Sequence, residues 1–304
     1  MLKRLVPLSV RARIKHSVAA TMTRYGRGVG DRILDDFRRG PVPTLDHVTT
    51  QLCSESQFTE PVFADRTRAL HMPQAWHRKF WEHVYIVEAV NQAGVLREGA
   101  RGLGFGCGRE RLVSYFAALG CAVTATDAPV GESKWTTTGQ HAAAKRDLHF
   151  PLICGVEEFD RRVNFRYVDM NLIPDDLEGF DFAWSCSSLE HLGSIEHGLE
   201  FIRRSARCLR VGGVAAHITE FNISSLDDTW EDTSLVFFRK KDIDRLIKQC
   251  AAEGIEVSPP NLRCVSTDGD LRVDRLPWQS DFHLKVYWQG YVATSLGILL
   301  RRTR

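Results

Sequence analysis

The sequence predicts an α/β protein with one open, doubly wound sheet, and three observations lead there. A glycine run, Gly102-Leu103-Gly104-Phe105-Gly106-Cys107-Gly108, follows a short apolar approach and precedes an amphipathic helix pattern. Apolar strands then alternate with helical stretches, mostly through short connections. Acids and polar runs stand at the strand ends, at Asp127, Asp169 and 185–191, on one rim of the sheet. Ligands of such sheets bind beyond that rim.

Composition allows this architecture. The chain has 304 residues, 43% of them hydrophobic, enough for one large domain or one domain with an accessory segment. A net charge of +2 gives no global pull toward nucleic acid or anionic membrane. The eight cysteines form no CxxC pair, which argues against a zinc site or a disulfide framework and fits a reducing cytoplasm. No stretch has the length to span a bilayer. Residues 1–40 are more basic, with ten Lys or Arg against three Asp. They lack the apolar core of a signal peptide and read as a solvated arm or helix, with weak peripheral contact to anionic lipid as the alternative.

In chain order, residues 1–73 form a basic, helical N-terminal extension, punctuated at Arg39-Gly40-Pro41-Val42-Pro43. The main domain is expected over 74–302. A helix over 74–90 carries a stripe of Trp76, Phe80, Val84 and Val87, widened by Trp81 and Tyr85. After the glycine run, a helix over 109–119 buries Leu112, Val113, Phe116 and Leu119, and Gly120 closes it. Strands follow over 121–126, 164–168 and 180–185. A helix over 196–210 aligns Leu199, Ile202, Ala206 and Leu209. Gly212-Gly213 reads as a turn into a strand over 214–221. A helix over 242–250 aligns Ile243, Leu246, Ile247 and Cys250, and the last strand falls at 293–301.

The glycine run with Asp127 nineteen residues past its last glycine is a nucleotide-handling arrangement; alone it would suit a dinucleotide dehydrogenase. Three further motifs argue otherwise. They are Tyr167-Val168-Asp169-Met170, then Phe180-Asp181-Phe182-Ala183-Trp184-Ser185-Cys186-Ser187-Ser188-Leu189-Glu190-His191, then Leu209-Arg210-Val211-Gly212-Gly213. In this order the five motifs resemble the class I S-adenosylmethionine-dependent methyltransferases, over about residues 78–302. The resemblance implies a Rossmann-like sheet of about seven strands, the last antiparallel, and S-adenosyl-L-methionine as cofactor. It places Gly104, Phe105, Gly106 and Gly108 against the methionine end. Asp127 and the adjoining Ala128 fall at the ribose, Asp169 at the adenine amine, Met170 over the ring and Ser187 near the sulfonium. The polar loop Trp135-Thr136-Thr137-Thr138-Gly139-Gln140-His141 should flank the adenosine. Gln140 is its candidate contact, and a helix capped by Thr138 is the plainer reading.

Candidate chemistry lies after the fourth and fifth strands. His191 is a candidate base, with helix capping or support of Glu190 as its structural alternative. Glu220 is a second candidate base and, with Asn222, a candidate acceptor contact at a strand end. The acids at 227–232 suit a solvated loop better than a metal, so no metal is assigned. An insertion around 262–292 adds acceptor recognition: alternation puts His283 and Lys285 on one face, where with Arg239 they would receive a phosphate or carboxylate. Trp278, Phe282, Tyr287 and Trp288 would stack on a sugar or close the core. The expected function is a cytoplasmic O-methyltransferase acting on a small molecule or sugar, in glycan or natural-product modification. The basic N-terminus would suit a lipid-linked acceptor. The alternatives are N-methylation of a small amine and a subunit that holds the cofactor without turnover. Nucleic acid is disfavoured by the acids near the cleft and by the lack of an Asn-Pro-Pro-Tyr-type run after the fourth strand.

Overall fold

The structure, a computed structural model, describes residues 32–129, 139–278 and 282–304. The basic arm at 1–31 and the residues from Trp135 to Thr138 lie outside these. The described chain runs β1 (Thr50–Leu52), α1 (Pro61–Ala69), β2 (Trp76–His77), α2 (Arg78–Gln92), β3 (Arg101–Phe105), α3 (Leu112–Ala118) and β4 (Ala122–Asp127). It continues through α4 (Val156–Arg162), β5 (Val163–Tyr167), β6 (Phe180–Cys186), α5 (Ile195–Arg207), β7 (Leu209–Asn222) and α6 (Lys240–Ala252). Then come β8 (Ile255–Val257), β9 (Pro260–Asn261), β10 (Phe282–His283), β11 (Val286–Trp288) and β12 (Tyr291–Arg302).

The main sheet has the order β5-β4-β3-β6-β7-β12. Its first five strands are parallel and β12 is antiparallel to β7. The expected seven strands are β3 to β8 and β12. Three short segments, β11, β1 and β8, pair with β12, and β9 extends β1. The sheet therefore has ten strands. Apolar residues of alternating parity fill both of its faces. Phe182, Trp184, Val214 and Ala216 meet α2 and α3 on one side. Leu103, Phe105, Ala183 and Ala215 meet α5 and α6 on the other.

Three sequence expectations change. The helix expected from 74 starts at Arg78, because Trp76 and His77 pair in parallel with Phe282 and His283 of β10. His77 instead caps α2, its Nδ1 accepting from Lys79 N at 3.2 Å. Gly212-Gly213 is no turn; it lies inside β7. The register opposite shifts between Phe180 and Phe182, and Gly212 takes φ +83°, so the pair forms a bulge. A Cβ on Gly213 would lie 2.9 Å from the Phe180 carbonyl oxygen. Finally, the described part of the 1–73 segment is built into the same core. Ile33, Phe37 and Leu52 are buried on one face of the sheet, Leu45, Cys53 and Phe63 on the other. The 262–292 segment is fastened to it through Asp270, whose Oδ1 accepts Glu55 N at 2.8 Å.

Candidate functional site

β3 delivers the chain into Gly106 and Gly108, both left-handed at φ +56° and +54°. That backbone costs glycine nothing and strains most residues with a Cβ. A Cβ on Gly106 would stand 2.8 Å from Ser188 Cβ and 3.1 Å from Met170 Sδ; one on Gly108 would stand 2.7 Å from the Gln140 carbonyl oxygen. The loop, Met170, Ser188 and the backbone at Gln140 thus converge beyond the strand ends as a cradle with no room for extra side chains. Asp127, at the end of β4, organises it. Its Oδ2 accepts Gly108 N at 3.1 Å and Ala142 N at 2.9 Å, and its Oδ1 accepts Ala128 N at 2.8 Å. Three of its roughly four acceptor positions are therefore taken by backbone. Asp169 is exposed, with Oδ1 accepting Asn171 N at 2.8 Å, while Met170 is buried beside it. The Phe105 ring packs edge-on against Phe201 at 5.2 Å, so only its backbone faces the cradle. The Gln140 side chain is exposed.

Residues 103–217 match the family model described as a methyltransferase domain. They span this cradle and the strands β4 to β6 that build it, and the sheet has the strand order and antiparallel last strand expected of that fold. Over these residues the chain is similar to a methyltransferase domain. No curated protein matches it in sequence. Several solved structures are similar at low identity. One is a methyltransferase from Galdieria sulphuraria, at 16% identity over 58% of this chain and 60% of that chain, TM-score 0.43. This chain therefore spans less than two thirds of that protein's length. Others are the magnesium protoporphyrin IX methyltransferase of Synechocystis (12%, covering 80% and 96%, TM-score 0.42) and the CcbJ methyltransferase of Streptomyces caelestis (12%, covering 70% and 93%, TM-score 0.41). The likeness to a methyltransferase domain rests on the family match over residues 103–217.

Beside the glycine cradle lies a charged cluster in which the sequence-named Ser187, Glu190 and Glu220 meet Arg78, Lys79, Glu82 and Ser295, which sequence reading missed. The first turn of α2 supplies Arg78, Lys79 and Glu82; β7 supplies Glu220, β12 supplies Ser295, and the turn after β6 supplies Ser187 and Glu190. Arg78 Nη1 donates to Glu220 Oε1 at 2.5 Å and to Ser295 Oγ at 3.1 Å. Lys79 Nζ donates to Ser187 Oγ at 2.6 Å and lies 3.0 Å from Glu82 Oε1. Glu82 also accepts from Ser187 Oγ at 2.7 Å and Ser295 Oγ at 2.6 Å. Burial alone would raise the Glu82 pKa, but Lys79 and Arg78 outweigh it and hold the group at about 2. Glu190 has no such escort. Burial, reinforced by Glu220 and only partly offset by Lys79, pushes its carboxyl well above the usual range. Glu190 Oε2 and Glu220 Oε2 are both buried with no hydrogen-bond partner among the described residues. Ser187 sits among these groups at φ +52°, a costly backbone for a residue with a Cβ. One signal was present in the sequence: three charged residues open a helix whose other positions are mostly apolar.

Several expected acceptor contacts are spent internally. Asn222 is fully buried; its amide donates to the Asp228 carbonyl at 2.9 Å and its Oδ1 accepts Ser224 N at 2.9 Å. Arg239, Lys285 and His283 do not form one anion receptor, because each faces its own carboxylate. Arg239 caps α6 through Asp242 at 2.8 Å, Lys285 is buried against Asp270, and His283 Nδ1 lies 2.6 Å from Asp274 Oδ2. His283 does remain near the cluster, stacked on His77 at 4.6 Å. His191 Nδ1 donates to the Ser234 carbonyl at 2.7 Å, tying the turn after β6 to the 230s loop. In the acidic stretch, Glu231 Oε1 accepts Ile195 N at 2.9 Å and so caps α5. No described helix is long and apolar enough to cross a membrane.

Proposed function

We propose that this chain is an S-adenosylmethionine-dependent methyltransferase that acts on a hydroxyl of a small polyhydroxylated acceptor, such as a sugar, with Glu190 as the base. The observation that carries this reading is the pair of buried carboxylate oxygens without partners, Glu190 Oε2 and Glu220 Oε2. Buried polar atoms are normally hydrogen-bonded, and a polyol supplies O–H donors for both. Bound S-adenosylmethionine supplies an electrophilic methyl group on a sulfonium. Gly106, Gly108 and Met170 hold that cofactor, Ser187 lies beside its reactive end, and Asp127 keeps the glycine loop in shape. Glu190 takes the hydroxyl proton; its raised pKa brings it toward neutrality, where a general base is most effective. Arg78 fixes Glu220 as an acceptor for a second hydroxyl, and Lys79 at the mouth meets a negatively charged substituent. Trp278, 43% exposed and edge-on to His283 at 5.5 Å, offers an aromatic wall to a sugar face. The acceptor belongs to glycan or natural-product modification in the cytoplasm, and the basic residues within 1–40 suit a lipid-linked form.

Methyl-labelled S-adenosylmethionine with a panel of sugars, sugar nucleotides and small amines tests this, with the product carbon read by NMR. The expected product is a methyl ether. Glu190→Gln should lower kcat by about 10²- to 10⁴-fold, the usual range for a general base, with cofactor affinity unchanged. An N-methyl product, or a parent-like rate for Glu190→Gln, would overturn the reading.

A further inference from the structure

We propose that His83, Glu110 and Cys186 form a binding site for a zinc-class divalent cation that braces the glycine loop against α2. Their donor atoms, one per residue, all lie within 4.8 Å of one another. They come from three separate segments: the middle of α2, the turn after the glycine run, and the last residue of β6. A tetrahedral zinc site has metal–ligand distances of about 2.0–2.3 Å, so its donors stand about 3.3–3.8 Å apart. Side-chain rotations of about 1 Å therefore close this set. Reading cysteine spacing alone argues against zinc in this chain, because that rule sees only ligands close in sequence.

The surroundings already orient each ligand. His83 Nδ1 donates to the Lys79 carbonyl at 2.9 Å, which fixes the tautomer and leaves Nε2 for a metal. Metal-bound histidines typically donate their other ring nitrogen in this way. Trp184 Nε1 donates to Glu110 Oε1 at 2.5 Å, and Cys186 Sγ donates to Glu82 Oε2 at 3.6 Å. Glu110 is buried at the foot of the glycine loop. A divalent cation with a carboxylate, a thiolate and a neutral imidazole is electroneutral, which suits a largely buried place. On binding, the Cys186 thiol and the Glu110 carboxyl release their protons to solvent as the metal–sulfur and metal–oxygen bonds form. The three ligands leave a fourth position for water. The site adjoins Ser187, so the brace would hold the cofactor cradle from beneath.

Full-length protein stripped with a chelator and titrated with Co²⁺ tests this. A near-ultraviolet thiolate-to-cobalt band should grow to one equivalent per chain and be displaced by Zn²⁺. Cys186→Ser should abolish the band, and His83→Gln should weaken binding more than about 10-fold. Circular dichroism checks that each variant is folded, and either variant alone suffices. Absence of the band in the parent protein, or an unchanged band in Cys186→Ser, would overturn the proposal. Calorimetry of S-adenosylmethionine on the same stripped protein reports the methyltransferase reading separately.

Discussion

Asp127 and Gly106 show how single residues shape the glycine cradle. The resemblance places Asp127 at the ribose, yet its carboxylate already accepts three backbone N–H groups from the glycine loop and the segment after β4. Its strongest structural duty is to hold those two segments together. Asp127→Ala would strand buried donors, each costing about 1–3 kcal/mol. It should lower both the melting temperature and the affinity for S-adenosylmethionine; calorimetry giving an unchanged Kd would refute any role at the cofactor. Gly106→Ala pushes a Cβ against Ser188 and Met170 and also imposes a left-handed conformation costing about 1–2 kcal/mol. It should abolish cofactor binding while the far-ultraviolet spectrum stays native. A native affinity would show that the loop is not the cradle.

α2 is the element whose role changes most between sequence and structure. Its apolar stripe was readable, and Trp81, Val84 and Val87 are fully buried as that stripe requires. Its first turn does something the periodicity cannot show: it aims Arg78 at Glu220 across the sheet. Removing Arg78 takes away the hydrogen-bonded cation of buried Glu220 and leaves only Lys79, 3.6 Å away; breaking such a buried pair costs up to about 3–5 kcal/mol. Arg78→Met should therefore be severely destabilised in urea unfolding. Arg78→Met combined with Glu220→Gln should recover much of the loss, because the uncompensated charge is gone. If the two effects simply added, the pair would not be coupled.

Across the whole molecule, buried titratable groups set the pH range of stability. Burial holds His217 at about 3 in the fold, against 6.5 as its ordinary value. Unfolding takes up its proton between these values, so stability rises with pH up to about 6.5. Glu110 has the opposite sign: its pKa of about 8 exceeds 4.5, so unfolding releases a proton between them and stability falls as pH rises toward 8. Glu190 acts in the same direction as Glu110. In chelator-treated protein the urea midpoint should peak between about pH 4.5 and 6.5, where the two slopes oppose. Glu110→Gln should flatten the alkaline arm; an arm of unchanged slope would show that Glu110 is not its source.

The sequence by itself determined the strand positions, the doubly wound class and the glycine loop at the strand ends, because these follow from local signals: apolar period, glycines that need left-handed backbone, and acids at strand ends; the spatial order of the strands came from the structure. It overreached at Arg239, His283 and Lys285, since a surface cation and one paired to a distant acid look alike in sequence. Only the tertiary structure decided what lies beside the cradle. Glu190 and Glu220 meet because β6 and β7 are neighbours, and Arg78 reaches them because α2 packs on the same sheet face. Burial then sets their protonation, and burial is a property of the packed chain rather than of any segment.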